Sequence, residues 1–269
     1  MTWEEAVGWL RSQPDRQQFV RDCFFDDPLL EAAKRYYAST EWEAVRAFLS
    51  PSPGKKALDI GSGRGIAAFA LAMDGWDTTA LEPNSGSLAG AGAIRELARQ
   101  GGIPITVIEN RGEQLPFDDR SFDVVHARQV LHHAADLKKL CAEIGRVLKP
   151  NGLCIATREH VLSSRADLPA FLASHPLHAL YGGENAFLLK EYIGALYAGG
   201  LHIRHLLSPL ETDINLYPGS VAETRRQLAK KLRFPLPERI LDLLLTLRSR
   251  YSDTPGRLYT FVCNRSARN

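Results

Sequence analysis

The chain has 269 residues, of which 45% are hydrophobic, and its formal net charge is +2. This size and composition predict a globular protein with a sizeable core, built as one large domain with or without an elaborated cap. The nearly even charge argues against nucleic acid as a partner, and no apolar run reaches the ~20 residues of a membrane helix. Because the first residues lack the basic character of a secretory signal, a cytoplasmic protein is expected.

Residues 1–50 are predicted to be helical, and an alternation of strand and helix patterns follows them. Apolar runs typical of buried strands alternate with helical segments that end at glycines or at Pro-Asn-Gly. Strands separated by helices predict right-handed βαβ units and a parallel sheet covered on both faces. The predicted strands are KALDI, DTTALEP, ITVIEN, FDVVHA, LCIATRE, LHIRHLL and GRLYTFVCNR.

Two stretches interrupt this alternation, at 160–189 and at 211–255. Since a last strand is predicted at 256–265, the second stretch is expected to be a helical insertion that folds over the active-site edge of the sheet. The predicted organisation is a helical N-terminal cap at 1–50, a ligand-binding α/β domain at 51–210 and 256–269, and the helical insertion at 211–255.

The first strand runs into a glycine-rich loop, ALDIGSGRG at 57–65. Glycine is used where the backbone needs a positive φ, or where another group must approach more closely than a Cβ allows. Ligands bind beyond the carboxyl ends of strands in such sheets, and Glu82 at the end of the second strand can accept both hydroxyls of a ribose. Ile66 stands where dinucleotide-binding loops carry a third glycine, which favours a ligand with ribose but no pyrophosphate. Taken singly, a ligand-free turn and a solvated acid are the alternatives.

With three later motifs, this loop resembles the class I S-adenosylmethionine-dependent methyltransferases of the small-molecule type. The resemblance implies a doubly wound, mostly parallel sheet of seven strands, which is the Rossmann-like methyltransferase fold. It also implies S-adenosyl-L-methionine as the cofactor and S-adenosyl-L-homocysteine as the product. The matching segments, within about residues 55–160, are ALDIGSGRG, ALEPN, GEQLPFDDRSFDVVHARQVLHHAAD and EIGRVLKPNGLCIA.

The resemblance further implies which residues bind each part of the cofactor. Asp59 and the backbone at Gly61 and Gly63 would hold the methionine portion. Glu82 would bind the ribose. These four residues belong to the ends of the first two predicted strands, so the sheet edge brings them together.

The adenine and the sulfonium are assigned in the same way. Gly112, through its backbone, and Glu113 would border the adenine, and Arg128 and Gln129 would line the sulfonium end. Arg111 stands where many relatives carry an aspartate that binds the adenine amine. That contact is therefore assigned either to Glu113 or to the backbone.

The acceptor side offers several candidate catalytic residues. Positioning supplies much of the acceleration of methyl transfer, and a base is needed only when the acceptor must lose a proton. His133, in the loop after the fourth strand, is the candidate base, with a loop-bracing role as the alternative. The segment at 174–187 adds His178, Tyr181 and Glu184, with a solvated polar turn as the alternative.

No metal site is expected. The four cysteines are scattered and suit core positions in a reducing compartment, and the spacing of His175, His178 and Glu184 is not a known ligand pattern. The basic run at 225–233 is interpreted as a solvated helix face, with attraction of an acidic acceptor as the alternative. The apolar segment at 236–247 is interpreted as a cap helix, with packing in a homodimer as the alternative.

The predicted function is S-adenosylmethionine-dependent methyl transfer to a small-molecule acceptor, with O-methylation slightly ahead of N- or C-methylation. One alternative is a non-catalytic, regulatory protein that binds S-adenosylmethionine. Another is an NAD-dependent oxidoreductase, which the glycine spacing and the later motifs disfavour. The sequence does not identify the acceptor, because acceptor recognition lies in variable elements outside the shared fold.

Overall fold

The computed structural model describes residues 1–50, 54–232 and 236–266. Two parts of the predicted organisation fall partly outside these ranges. They are the domain boundary at 50/51 and the last three residues of the segment 256–269. The described strands are β1 Lys56–Ile60, β2 Asp77–Leu81, β3 Thr106–Ile108, β4 Phe122–Arg128, β5 Leu148–Leu162, β6 Phe187–Leu188, β7 Leu201–Leu207 and β8 Arg257–Arg265.

These strands form one sheet in the order β3-β2-β1-β4-β5-β8-β7, and β6 pairs with β5 outside this path. The strands from β3 across to β5 pair in parallel, whereas β8 is antiparallel to both β5 and β7. The predicted doubly wound, mostly parallel sheet is confirmed. The strand beyond the predicted seven is the two-residue β6, which lies inside the stretch expected to be irregular.

Helices cover both faces of the sheet. Their bounds are α1 Trp3–Ser12, α2 Gln17–Asp22, α3 Leu29–Tyr37, α4 Thr40–Arg46, α5 Ile66–Met73, α6 Ala91–Gly101, α7 Leu137–Val147, α8 Leu168–Ser174, α9 His178–Tyr181, α10 Leu189–Ala198, α11 Asp213–Leu216, α12 Val221–Leu232 and α13 Glu238–Arg250. Because neighbouring strand residues point to opposite faces, Val124 and Val125 of β4 belong to two different core clusters. In the described part of the chain, no helix combines the length and the apolar character that a membrane crossing requires.

The strand β5 extends beyond its predicted end. The apolar pattern ends near Glu159, but the strand continues to Leu162 because β8 pairs with its outer half, placing Tyr259 opposite Glu159 and Leu258 opposite His160. The register shifts between Ala156 and Glu159. The outer half of β5 therefore carries two titratable side chains to the carboxyl edge of the sheet.

The insertion begins beside the N-terminal helices. The short helix α11 packs on α4, and Tyr217 stacks on Phe24 with ring centroids 5.2 Å apart. The helices α12 and α13 pack against each other. The basic run predicted at 225–233 falls mostly on α12, and its last residue lies outside the described ranges.

Candidate active site

One cavity of about 600 Å³ lies beyond the carboxyl ends of β1, β2, β4 and β5. At this edge the order of the strands reverses between β1 and β4, which is where open α/β sheets bind ligands. The volume lies within the ~300–1,000 Å³ of small-molecule sites. The cavity is lined by the glycine loop, the strand ends, the N-terminal helices and the segment at 175–184.

Glu82 is held in place by two backbone amides. Gly63 N donates to Glu82 Oε2 at 2.8 Å, and Asn84 N donates to Oε1 at 3.0 Å. An ionised carboxylate offers about four acceptor sites, so each oxygen keeps one for a ligand. Burial raises the pKa of Glu82 above its ordinary value, although the two amides act against this shift. The residue lines the cavity, as its predicted ribose contact requires.

Asp59 has one carboxylate oxygen that no described residue contacts by a hydrogen bond. His126 Nδ1 lies 2.7 Å from Asp59 Oδ1, whereas Oδ2 is buried and makes no hydrogen bond within the described structure. A buried acceptor without a donor is costly, and Asp59 borders the cavity. A ligand ammonium group such as that of methionine fits this vacant acceptor.

The two glycines assigned to the methionine portion differ in their surroundings. Gly61 has φ +61°, and a Cβ there would lie 2.7 Å from Val130 Cγ2. Gly63 has φ +55°, and a Cβ there would enter open space beside the cavity. The Gly63 amide donates to the Glu82 carboxylate, and the expected contact of the Gly63 backbone with the methionine portion remains a prediction.

The residues assigned to the adenine also border the cavity. Gly112 is required by packing, because a Cβ would lie 2.5 Å from Leu140 Cδ1. Glu113 Oε1 accepts a hydrogen bond from Ala135 N at 2.9 Å, which fixes the carboxylate at the rim. Arg111 lies beside them in the lining. Their contact with adenine remains a prediction.

Arg128 and Gln129 line the cavity, but the guanidinium of Arg128 already has partners. It forms a buried ion pair with Glu41 of α4 and donates from Nη1 to Gln129 Oε1 at 3.1 Å. Gln129 has φ +56°, a conformation that few residues other than glycine adopt. Their place at the sulfonium end remains a prediction, and Arg128 also anchors the N-terminal helices.

The far end of the cavity contains a histidine–glutamate cluster, defined here as His132, His133, Glu159, His160, His175 and Glu184. Glu159 organises it from behind: its Oε1 accepts from the backbone N of Val130 and of Leu131 at 3.0 Å each. Its Oε2 accepts from the backbone N of His132 at 3.0 Å and lies 2.7 Å from His132 Nδ1. The carboxylate thus fixes the turn at Leu131–His133.

Glu184 is the front carboxylate of the cluster. Tyr181 donates its hydroxyl to Glu184 Oε1 at 2.6 Å, and His132 Nε2 lies 3.7 Å and His133 Nε2 3.9 Å from Oε2. Burial would raise the pKa of Glu184, but its contacts with the surrounding histidines and with Tyr181 outweigh burial and lower it to about 2. Burial and Glu184 together raise the pKa of Tyr181.

Hydrogen bonds to backbone carbonyls determine the tautomers of two histidines, because a carbonyl oxygen can only accept a hydrogen bond. His133 Nδ1 lies 3.1 Å from Gly183 O, and His160 Nδ1 lies 2.8 Å from Gly256 O. Each Nδ1 therefore carries the proton, and each Nε2 has a free lone pair. Burial, followed by the charge of His132, lowers the pKa of His133, and the same causes lower that of His160 to about 3.

The pKa of His132 moves in the opposite direction. Burial would lower it, but Glu159 and Glu184 together raise it to about 9. The cluster therefore shifts the pKa values of the neighbouring residues His132 and His133 in opposite directions. His132 is buried between the two carboxylates, while His133 faces the cavity.

Aromatic side chains from the N-terminal segment line the cavity. Trp3, Phe24 and Phe25 are among the lining residues, and the ring of Trp3 lies 5.0 Å from that of Tyr181. The N-terminal segment thus packs directly against the 175–184 segment. Within the described ranges, no residue of the insertion at 211–255 lines the cavity, so its role as an active-site cover stays a prediction.

Of the four predicted catalytic residues, the structure brings His133, Tyr181 and Glu184 into one cavity. His178 begins α9 and is not among the lining residues of the described structure, and its catalytic role stays a prediction. Sequence reasoning missed Glu159 and His160. The sequence did offer one indication of them, the dipeptide Glu-His at the end of the fifth predicted strand. Ligands in such sheets bind beyond the carboxyl ends of the strands.

Residues 58–156 match a family model described as a methyltransferase domain. Among curated relatives, the chain is 33% identical over 162 residues to the ubiquinone/menaquinone biosynthesis C-methyltransferase UbiE of Brucella canis, covering 54% of this chain and 58% of the relative. It is 31% identical over 109 residues to the ubiquinone biosynthesis O-methyltransferase of Azorhizobium caulinodans, covering 40% of this chain and 42% of the relative. The chain thus matches about half the length of these relatives.

A geranyl diphosphate C-methyltransferase from Streptomyces coelicolor A3(2), solved with Mg²⁺, geranyl diphosphate and S-adenosyl-L-homocysteine, has a similar structure. The TM-score is 0.62 at 14% identity, covering 96% of this chain and 87% of that chain. This level of identity shows a shared fold. Residues 58–156 match a methyltransferase domain, and the chain shares the fold of this S-adenosylhomocysteine-bound methyltransferase. The predicted family and its cofactor, S-adenosyl-L-methionine, are confirmed for this domain.

Proposed function

We propose that the chain transfers a methyl group from S-adenosyl-L-methionine to a hydroxyl group of a small-molecule acceptor and releases S-adenosyl-L-homocysteine. The observation that carries this proposal is a single cavity that joins Glu82 and the glycine loop to the histidine–glutamate cluster. Curated relatives named as ubiquinone-pathway methyltransferases support a small-molecule acceptor. The cluster offers a base, which favours a hydroxyl acceptor over one that needs no proton removed.

The cofactor half of the cavity fits the parts of S-adenosylmethionine. Glu82 would accept hydrogen bonds from the ribose hydroxyls, and Asp59 Oδ2 would accept one from the methionine ammonium. Gly112 and Glu113 would border the adenine at the rim. When bound, the cofactor supplies a methyl group that its sulfonium has already activated. The residues then have to place an acceptor in line with that methyl.

His133 is the proposed base for the acceptor hydroxyl. Its Nδ1 donates to Gly183 O, so Nε2 is the nitrogen that can take a proton. The acceptor oxygen forms the new bond to the methyl carbon, the carbon–sulfur bond breaks with its electron pair on sulfur, and the hydroxyl proton moves to Nε2. Tyr181 and Glu184 border the same space and orient the acceptor.

Trp3, Phe24 and Phe25 exclude water from the acceptor half, which strengthens the polar contacts there. All four cysteines are free, which fits a reducing compartment and supports the proposed cytoplasmic location. We also propose that the chain can form a homodimer and that the insertion at 211–255 covers the active site.

Titration calorimetry with S-adenosylmethionine, S-adenosylhomocysteine and NAD tests the cofactor half. The first two ligands should bind and NAD should not. A panel of phenols, aliphatic alcohols, amines and carbon nucleophiles, followed by the release of S-adenosylhomocysteine, tests the acceptor half. Turnover with hydroxyl compounds supports O-methylation. Tight binding with no turnover on any class would favour the non-catalytic alternative.

A further inference from the structure

Three buried side chains of the histidine–glutamate cluster converge on a common space. His132, His160 and Glu184 each contribute one potential ligand atom, and these atoms all lie within 4.8 Å of one another. All three residues line the cavity. They come from three separate parts of the chain, namely the turn after β4, the outer half of β5 and the segment before β6.

The hydrogen bonds behind the two histidines leave their other nitrogens free to bind. His132 Nδ1 lies 2.7 Å from Glu159 Oε2, and His160 Nδ1 donates to Gly256 O. Nε2 is therefore the available ligand atom on each ring. Histidines that bind metals have this arrangement, in which the second nitrogen donates to a carboxylate or a backbone carbonyl that orients the ring.

The charges of the cluster also favour a bound cation. Glu159 and Glu184 are both buried, and every ion pair that they form in the described structure is with a histidine. Buried carboxylates need compensating positive charge. A divalent cation between His132, His160 and Glu184 would add two positive charges beside Glu184, whose carboxylate otherwise contacts histidine rings and the Tyr181 hydroxyl.

We propose that His132, His160 and Glu184 bind one divalent transition-metal ion with an open coordination position toward the cavity. Two imidazoles and one carboxylate are a ligand set of catalytic zinc and non-haem iron sites, whereas Mg²⁺ and Ca²⁺ prefer oxygen ligands. Metal–ligand bonds of ~2.0–2.2 Å would draw the three atoms closer together. His175 lies beside this group: its buried Nδ1 makes no hydrogen bond with any described residue and lies 3.7 Å from Glu184 Oε1.

The open position would face the part of the cavity that Tyr181 and His133 line. There the ion would bind the oxygen of the acceptor, fix its direction and lower the pKa of its hydroxyl. This last role rests on the proposed function, whereas the metal site itself does not.

The test uses the full chain, stripped of metal with a chelator and titrated by calorimetry with Zn²⁺, Mn²⁺ and Mg²⁺. About one Zn²⁺ per chain should bind, and Mg²⁺ should bind much more weakly. His160→Gln and Glu184→Gln should each weaken Zn²⁺ binding roughly tenfold or more. His202→Gln, an exposed histidine on β7, is the matched control and should bind like the wild type. Equal affinity in all four proteins, or no stoichiometric binding to the wild type, would overturn the site.

A second measurement needs only the wild-type chain. With Co²⁺ in place of Zn²⁺, the visible absorption should be that of a four- or five-coordinate site, and the spectrum of hydrated Co²⁺ would count against the proposal. Turnover assays with and without Zn²⁺ separate the two proposals. Stoichiometric binding without methyl transfer to any acceptor counts against the function, and turnover in a chain that binds no metal counts against the site.

Discussion

Glu41 of α4 and Arg128 at the end of β4 form a buried, bidentate ion pair. Arg128 Nε lies 2.6 Å from Glu41 Oε1, and Nη2 lies 3.0 Å from Oε2. The rings of Phe24 and Tyr36 lie 5.7 and 5.6 Å from the guanidinium carbon. The pair therefore fastens the N-terminal helices to the sheet edge that carries the site.

Glu41→Ala should be strongly destabilising, because it leaves the Arg128 guanidinium buried without its partner. The expected loss is about 3–5 kcal/mol of the free energy of unfolding, measured by urea titration with circular dichroism. Glu31→Ala removes an exposed carboxylate that pairs with Lys34 on α3 and is the matched control, with a stability close to the wild type. Similar stabilities for the two variants would contradict the assigned anchoring role.

The same pair should make stability depend on pH. Burial would raise the pKa of Glu41, but the charges of Arg128 and Arg158 lower it below 4.5. A carboxylate whose pKa is lowered by folding stabilises the fold above its unfolded pKa and loses this effect as the pH falls through the folded value. The difference in stability between wild type and Glu41→Ala should therefore shrink below pH 4.5. Urea titrations at several pH values measure this difference, and a constant gap would argue against an ionic contribution.

Glu82→Ala should weaken cofactor binding, since it removes the carboxylate that the amides of Gly63 and Asn84 hold in the cavity. Charge-assisted hydrogen bonds to two ribose hydroxyls are worth roughly 1.5–3 kcal/mol together, so the affinity for S-adenosylhomocysteine should fall about ten- to a hundredfold. Calorimetry checks this, with Glu96→Ala on the surface of α6 as the control. An affinity within twofold of the wild type would place the ribose elsewhere.

The two glycines of the loop should respond differently to substitution. Gly61→Val places its Cβ against Val130 and should lower the melting temperature strongly, whereas Gly63→Val projects into open space and should mainly abolish cofactor binding. Both positions also carry the strain of a positive φ. For both variants, thermal unfolding measures the stability and calorimetry measures the affinity for the cofactor. Adding Val130→Ala should partly restore the stability of Gly61→Val, and no recovery in the double variant would count against the proposed clash.

Tyr181→Phe should reduce turnover without changing cofactor affinity, because Tyr181 belongs to the proposed acceptor half of the cavity. The hydroxyl that donates to Glu184 is lost while the ring remains against Trp3, so cofactor affinity should stay within about twofold and turnover should fall roughly tenfold or more, in the range of lost positioning contacts. Tyr197→Phe, at an exposed ring on α10, is the control. Normal turnover of Tyr181→Phe on the true acceptor would remove this residue from the acceptor site.

The cofactor half could be predicted from the sequence because its signals are local. The glycine loop and Glu82 each follow directly from a strand with a strong apolar pattern, so the edge of a parallel sheet had to bring them together. Helix ends were predicted less exactly. Ser39 caps α4 by accepting a hydrogen bond from Trp42 N, but Thr40 beside it is also a suitable capping residue, so the sequence alone does not fix where the helix begins.

The acceptor half could be predicted only in part: His133, Tyr181 and Glu184 were named from the sequence, whereas Glu159 and His160 were not. His160 reaches the cluster because β8 lengthens β5, and Glu184 reaches it because the 175–184 segment folds back toward the turn at His132. Both depend on contacts between distant parts of the chain. The spacing of His178 from Glu184 in the sequence was therefore a poor guide, and Glu159, hidden behind the turn, gave no pattern of its own.

The pairing of β5 with β8 also determines when the histidine–glutamate cluster can form during translation. His160 is oriented by Gly256 O and lies on the part of β5 that β8 supports. A nascent chain can fold the glycine loop and its neighbouring strands as they emerge, because domains begin to fold from the N-terminal side. The histidine–glutamate cluster has to wait until residues 256–262 have left the ribosome. Partly translated chains therefore acquire the cofactor half first and the acceptor half last.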